Sequence, residues 1–194
     1  GHMHEKIKKG LKSLMDEDIV QHTSYLFLNP YTAEASEKII ARAPNNIDRV
    51  MFTNSGSEAN ELALMIARNV TASQTIINLS YSYHGSTAQT LNHCGQSNWK
   101  FSHQVSGGSL GVPAPYCYRC PFGKNKNNCG LECAKAVKSS IETHTSGKIA
   151  GMIIEPILGA GGFIEVPKEY LYEVQKTIKS YGGKFIVDEV QTGS

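Results

Sequence analysis

Residues 171–188 read LYEVQKTIKSYGGKFIVD, and this stretch decides the fold class. Leu171, Val174, Ile178 and Tyr181 recur at helical spacing and form one apolar face. Gly182-Gly183 stops that helix, since glycine takes the left-handed turn that ends one. Lys184-Phe185-Ile186-Val187 then has the look of a buried strand, with Asp188 at its carboxyl end. A helix feeding a near-continuous apolar strand predicts a parallel sheet covered by helices on both faces.

The same alternation extends upstream. Ile149 to Ile154 reads as a strand, and Ala134, Val137 and Ile141 mark the helix before it. Ile76-Ile77-Asn78-Leu79 reads as another strand, followed by Tyr83-His84-Gly85 and a helical stretch to about Leu91. Val50-Met51-Phe52-Thr53 reads as the first strand of the series. After Asn54-Ser55-Gly56-Ser57 it leads into a helix from about Glu58 to Asn69, with Ala59, Leu62, Ala63 and Ile66 expected on the buried face. Two further helices are expected near the N-terminus, over 5–15 and from Tyr31 to Arg42. The second carries Ile39 and Ile40 on its inner face and stops at Pro44-Asn45-Asn46. Residues 95–130 have no usable period and read as a long irregular excursion. The organisation is therefore a cloning scar at 1–3, an N-terminal helical segment at 4–47 and an α/β domain at 48–194.

Composition agrees with a folded chain. The 194 residues are 40% hydrophobic and 19% charged, which excludes a disordered segment. Nineteen Lys and Arg against seventeen Asp and Glu leave +2, too little asymmetry to point to nucleic acid or an anionic membrane. No apolar run approaches the roughly 18 residues of a membrane span. With no secretory signal after the scar, the five cysteines are expected as reduced thiols in the cytoplasm.

In parallel α/β sheets, ligands bind beyond the carboxyl ends of the strands. The unusual polar residues cluster there. Ser55-Gly56-Ser57-Glu58 opens a helix, whose free N–H groups suit a phosphate, and the same residues also fit a plain capping box. Tyr83 is either a stacking ring or ordinary packing, and His84 follows it. Glu155-Pro156 follows the third strand as a site carboxylate or a turn. Asp188, at a buried strand end, calls for a ligand cation or a distant donor, unless it is a turn residue. Gly159-Ala160-Gly161-Gly162 lacks the third glycine of a dinucleotide fingerprint and opens no helix, so that reading is rejected. Together, a phosphate cradle, an aromatic and a carboxylate awaiting a cation describe a site for a flat, phosphorylated, protonated heteroaromatic ring. Pyridoxal phosphate is such a ligand.

Asn54-Ser55-Gly56-Ser57-Glu58-Ala59-Asn60, Tyr83-His84-Gly85, Glu155-Pro156-Ile157 and Asp188-Glu189-Val190-Gln191-Thr192-Gly193 stand in the order and spacing of the class-III pyridoxal-phosphate aminotransferases. The chain resembles that family from about Asp18 to Gly193. The resemblance implies a truncated large domain of the aspartate-aminotransferase-like type (fold type I) from an enzyme acting on an amino donor and a 2-oxo acid, and pairing of the chain as a homodimer or larger assembly is expected with it. Gly56 and Ser57 would hold the cofactor phosphate, and Tyr83 and Val190 would pack on opposite faces of its ring. Asp188 would pair with the ring nitrogen, Gln191 would bond its phenolic oxygen, Glu155 would join an acidic network on the substrate side, and His84 would lie beside the cofactor. The family's cofactor-bonding lysine falls some tens of residues beyond the Asp-Glu-Val-Gln segment, and no lysine follows Asp188 here. The chain is thus expected to be a fragment that does not transaminate alone and that self-associates through its uncovered sheet edge. A lyase on the same scaffold and a non-catalytic binding module are the alternatives.

Cys117-x2-Cys120-x8-Cys129-x3-Cys133 has spacing compatible with a four-thiolate zinc site, or is a Cys-rich surface loop. Cys94 reads as a small buried hydrophobe.

Overall fold

The computed structural model describes residues 2–17, 28–44, 46–101, 107–125 and 127–193. Gly1 of the expected scar, Asp18 at the start of the resemblance, Asn45 of the expected helix stop, and 102–106 and 126 of the expected excursion lie outside the described residues. The chain forms two compact units, 1–52 and 53–194.

The first unit holds two helices, α1 (Glu5–Asp16) and α2 (Pro30–Ile40). Asn29 caps α2 by accepting the Tyr31 N–H, and Pro30 starts it where a missing N–H costs nothing. Ile39, expected inside, is 46% exposed. Val50–Phe52 forms no strand. Met51 is 68% exposed, and among the described residues the apolar run that suggested a buried strand pairs with no strand.

The second unit is built on a four-stranded parallel sheet of β1 (Ile76–Leu79), β2 (Ser109–Val112), β3 (Gly151–Ile154) and β6 (Lys184–Val187). Their order across the sheet is β2-β1-β3-β6. Strand β2 was not expected, because it sits inside the segment read as irregular. Its Ser-Leu-Gly-Val sequence is too short and too mixed to carry a strand signal, and pairing with β1 (Ile76 with Ser109 through Leu79 with Val112) supplies what the sequence lacks.

Alternation along the strands sends side chains to two cores. On one face Ile77, Leu79, Met152 and Ile154 pack against α5 (Glu132–His144) and α6 (Lys168–Ser180), through Val137, Ile141, Tyr170, Val174 and Ile178. On the other face Ile76 and Ile153 pack against Leu64 and Ala67 of α3 (Gly56–Thr71). The expected helix-covered parallel sheet is therefore present. The inner face of α3 differs from expectation: Asn60, Leu64 and Ala67 are buried, whereas Ala59 and Ile66 are exposed. Residues 62–67 of α3 (Leu-Ala-Leu-Met-Ile-Ala) are apolar without a break, so hydrophobic spacing leaves its rotation undetermined and contact with the sheet selects it.

A short helix, α4 (Ala88–Asn92), follows the Tyr83 turn. A small antiparallel hairpin of β4 (Ile157–Leu158) and β5 (Ile164–Glu165) follows β3. Gly159, Gly161 and Gly162 turn this hairpin, which accounts for them without a nucleotide. A side chain on Gly161 would come within 2.9 Å of the Tyr81 carbonyl.

Candidate functional site

The ends of β3 and β6, the Tyr83 turn and the start of α3 converge within the second unit. Helix α3 begins at Gly56 because Ser55 takes extended backbone and its Oγ accepts the Glu58 N–H at 3.2 Å, while Glu58 Oε2 accepts the Asn54 N–H at 2.8 Å. Capping thus uses only part of the helix end. The N–H groups of Gly56 and Ser57 have no acceptor among the described residues and sit at the positive pole of a 16-residue helix. The capping and anion-site readings of this turn are compatible.

Two close approaches shape the turn. A Cβ on Gly56 would lie 2.7 Å from Val190 Cγ2, so the segment after β6 touches the start of α3. A Cβ on Gly85 would lie 2.4 Å from Ser57 Oγ, and Gly85 has a φ of +127° that side-chain-bearing residues rarely adopt. Only glycine fits there. Ser57 Oγ also accepts the Ser86 N–H at 3.1 Å.

Asp188 is 6% exposed and fully committed on one oxygen. Its Oδ2 accepts from Asn60 Nδ2 and from His84 Nδ1, both at 2.8 Å, and its Oδ1 accepts the Val190 N–H at 3.1 Å. Burial alone pushes the carboxyl up. The His84 hydrogen bond and charge, the Val190 amide and the Asn60 amide outweigh it and hold Asp188 below the usual carboxylate range. The partner is therefore distant side chains. The His84 side chain is fully buried, with its Nδ1 against Asp188 Oδ2.

Glu155 holds two loops. Its Oε1 accepts the Tyr83 N–H at 2.8 Å and its Oε2 the Gly159 N–H at 2.9 Å. Burial dominates here and raises its pKa, with the Tyr83 and Gly159 amides opposing. The Tyr83 ring lies 4.9 Å from that of Trp99, tilted 49°, and its hydroxyl meets Ser86 Oγ at 2.7 Å. Val190 is 62% exposed, and Gln191 lies exposed against Gly159.

Asn60 is the participant that sequence reading missed. Its position on α3, four and seven residues before Leu64 and Ala67, places it on the buried face, where an amide must find partners. The signal was present in the spacing but was hidden by the wrong choice of inner face.

Cys117 and Cys129 lie near enough to Cys133 to act on its thiol, yet the cysteines make no coordination centre. Among the described residues no group of three or more His, Cys, Asp or Glu side chains could hold a metal ion. This corrects the zinc expectation at Cys117, Cys120, Cys129 and Cys133. Cys133, on α5, turns into the core, while Cys117 and Cys129 are exposed. Burial pushes the Cys133 thiol up to about 11, so it keeps its proton at neutral pH. Cys94 is buried, as expected of a small hydrophobe.

The Gly56 and Ser57 amides, together with a buried ionised carboxylate, offer the donors and the charge that a phosphorylated pyridinium ring needs, so the residues fit pyridoxal phosphate. A family model described as aminotransferase class-III matches residues 1–194. The chain is 39% identical over 193 residues to an Arabidopsis thaliana protein named alanine–glyoxylate aminotransferase 2 homolog 2, mitochondrial, covering all of this chain and 39% of that protein. It is 32% identical over 201 residues to a leucine/methionine racemase of Thermococcus litoralis, covering all of this chain and 44% of that protein. Among solved structures, an amine transaminase from an uncultivated Pseudomonas species in its PLP-bound form superposes with a TM-score of 0.90 at 26% identity, over all of this chain and 46% of that one. The chain thus spans less than half the length of each.

Proposed function

The chain belongs to the class-III aminotransferase family, and on that premise we propose that it forms the cofactor-holding part of a pyridoxal-phosphate-dependent enzyme that moves an amino group from an amino donor to a 2-oxo acid. The observation that carries this reading is the buried Asp188 carboxylate, kept ionised at a strand end beside a helix start with unengaged amides. Bound pyridoxal phosphate supplies an electron sink for the pair left when a substrate Cα–H bond breaks.

The chain's own residues do the holding. Gly56 and Ser57 take the phosphate on their amides, aided by the helix dipole. Asp188 presents negative charge to the ring nitrogen and favours its proton. Tyr83 and Val190 bound the ring on its two faces, and Gln191 bonds the phenolic oxygen. Glu155, with both oxygens on main-chain amides, fixes the Tyr83 and Gly159 turns and so acts on the substrate side through them. We assign His84 to the support of Asp188. The chain also self-associates in this reading, since Met65, Ile66 and Val70 leave an apolar strip exposed on α3. We also place the chain in the cytoplasm, on the reading of its five cysteines as reduced thiols.

A second reading has one observation in its favour. A relative covering the whole chain is named a racemase, and racemisation needs the same cofactor site with no amino acceptor.

Titration of the chain with pyridoxal phosphate, followed by absorbance and repeated with inorganic phosphate as competitor, tests the proposal. Saturable one-site binding that phosphate displaces and Asp188→Asn weakens is the expected result. Binding that ignores both Asp188 and phosphate, or no binding at all, overturns it.

A further inference from the structure

The Asp188 carboxylate is not held symmetrically. Each carboxylate oxygen has two lone-pair directions. Both on Oδ2 are occupied, by Asn60 Nδ2 and His84 Nδ1 at 2.8 Å each. On Oδ1 one is occupied, by the Val190 N–H at 3.1 Å. One acceptor direction therefore remains, and it belongs to Oδ1.

Asn60 does more than donate once. The same Nδ2 donates its second hydrogen to the His84 carbonyl at 2.9 Å, and Asn60 is 6% exposed. One buried amide thus ties α3, the Tyr83–Gly85 turn and the end of β6 together. His84 must carry its proton on Nδ1 to bond an ionised carboxylate, and its Nε2 has no partner among the described residues. The ring has no second attachment, so the bond to Asp188 and the Asn60 bond to its carbonyl set its place.

We propose that Asn60, with His84, is a positioning residue that saturates Asp188 Oδ2 and leaves Oδ1 as the oxygen offered to the ring N–H of a bound pyridinium. This rests on the cofactor reading above and deepens it. Neither residue touches the ligand. Together they fix the carboxylate's rotation, which decides whether the remaining lone pair points out of the protein or into it. Loss of Asn60 frees a lone pair on Oδ2, and the carboxylate then divides its orientation between two oxygens.

The test uses two probes, pyridoxamine 5′-phosphate labelled with 15N in the ring and its 1-deaza analogue, in which C–H replaces the ring nitrogen. Both present the same phosphate, and only the first can bond Asp188. The unmodified chain should prefer the first by about tenfold or more, as a charge-assisted hydrogen bond implies. Asn60→Leu, close in volume, should reduce that preference by about tenfold and move the ring 15N resonance toward the unprotonated value, while affinity for the deaza analogue stays within about twofold. His84→Asn, which retains a donor near the Nδ1 position, should preserve the preference better than His84→Leu.

Equal loss of both probes in Asn60→Leu, or an unchanged preference and resonance, would overturn the proposal, because a purely structural role gives one or the other. If Asn60→Leu does not fold, the Asn60 side-chain amide protons of the unmodified chain carry the test: exchange at least about a hundredfold slower than in an exposed asparagine is expected, and fast exchange overturns the clamp. Failure of the unmodified chain to bind either probe removes the cofactor reading itself, and this inference with it. Binding of both probes with no preference refutes only the role of Asp188 and its clamp.

Discussion

Two regions of this chain carry residues that attract notice in the sequence, and they end differently in space. Ser57, His84, Glu155 and Asp188 are up to 131 positions apart in sequence numbering, yet hydrogen bonds link them or their immediate neighbours into one cluster. Cys117, Cys120, Cys129 and Cys133 fall within 17 residues and form no metal-holding group. Short spacing brings residues together only where the intervening backbone turns them toward a common point. Parallel strands do this for residues far apart, because every carboxyl end opens on the same edge of the sheet. In the cysteine segment Cys117 lies exposed in a 3-10 turn while Cys133 belongs to a helix that faces the core, so proximity does not become a coordination centre.

The contrast breaks most forcefully at Asp188. Asp188→Ala strands the Asn60 amide, the buried His84 Nδ1 and the Val190 N–H, and should cost about 3–5 kcal/mol in urea denaturation. A cost below about 1 kcal/mol would mean the cluster is not a connected network. Gly85→Ala comes next. The added Cβ meets Ser57 Oγ at 2.4 Å and Ser57 Cα at 2.9 Å on a backbone of positive φ, for an expected loss of about 2–4 kcal/mol by the same measurement.

How far these features were legible follows the same division. The sheet, its helices and the strand-end residues could be read because long apolar periods are set locally by burial. Strand β2 could not, because its stability comes from β1 and not from its own four residues. Val50–Phe52 misled for the converse reason: an apolar run names a candidate strand, and only a partner makes it one. Asn60 was hidden by the unbroken apolar run at 62–67 of α3, where Leu62, Met65 and Ile66, with Val70 beyond them, compete with the true inner face. The opening Ser55 cap was legible, but that it leaves the Gly56 and Ser57 amides unengaged needed the structure.

Opposite pH dependences sharpen the comparison within the cluster. The folded-state pKa of Asp188 is lowered, so its contribution is present above the unfolded value and is lost as pH falls through the folded value. That of Glu155 is raised, so stability falls as pH rises from its unfolded to its folded value, and the loss persists above that window. In urea titrations from acid to neutral pH, the advantage of the unmodified chain over Asp188→Asn should grow with pH, and its advantage over Glu155→Gln should shrink. The smallest effect belongs to the cysteines. Zinc added to the reduced chain should leave its melting temperature within about 1 °C, whereas a folded four-thiolate site would raise it by far more.

The central claim is that the strand-end cluster, and not the cysteine segment, is where the ligand binds. Titrating unlabelled pyridoxamine 5′-phosphate into 15N-labelled chain and following the backbone amides tests it most directly. The amides of Gly56, Ser57, Gly85 and Val190 should shift together along one saturable curve, while those of Cys117, Cys120 and Cys129 stay in place. Shifts confined to the cysteine segment, or a silent Gly56 and Ser57 at saturation, would contradict the account.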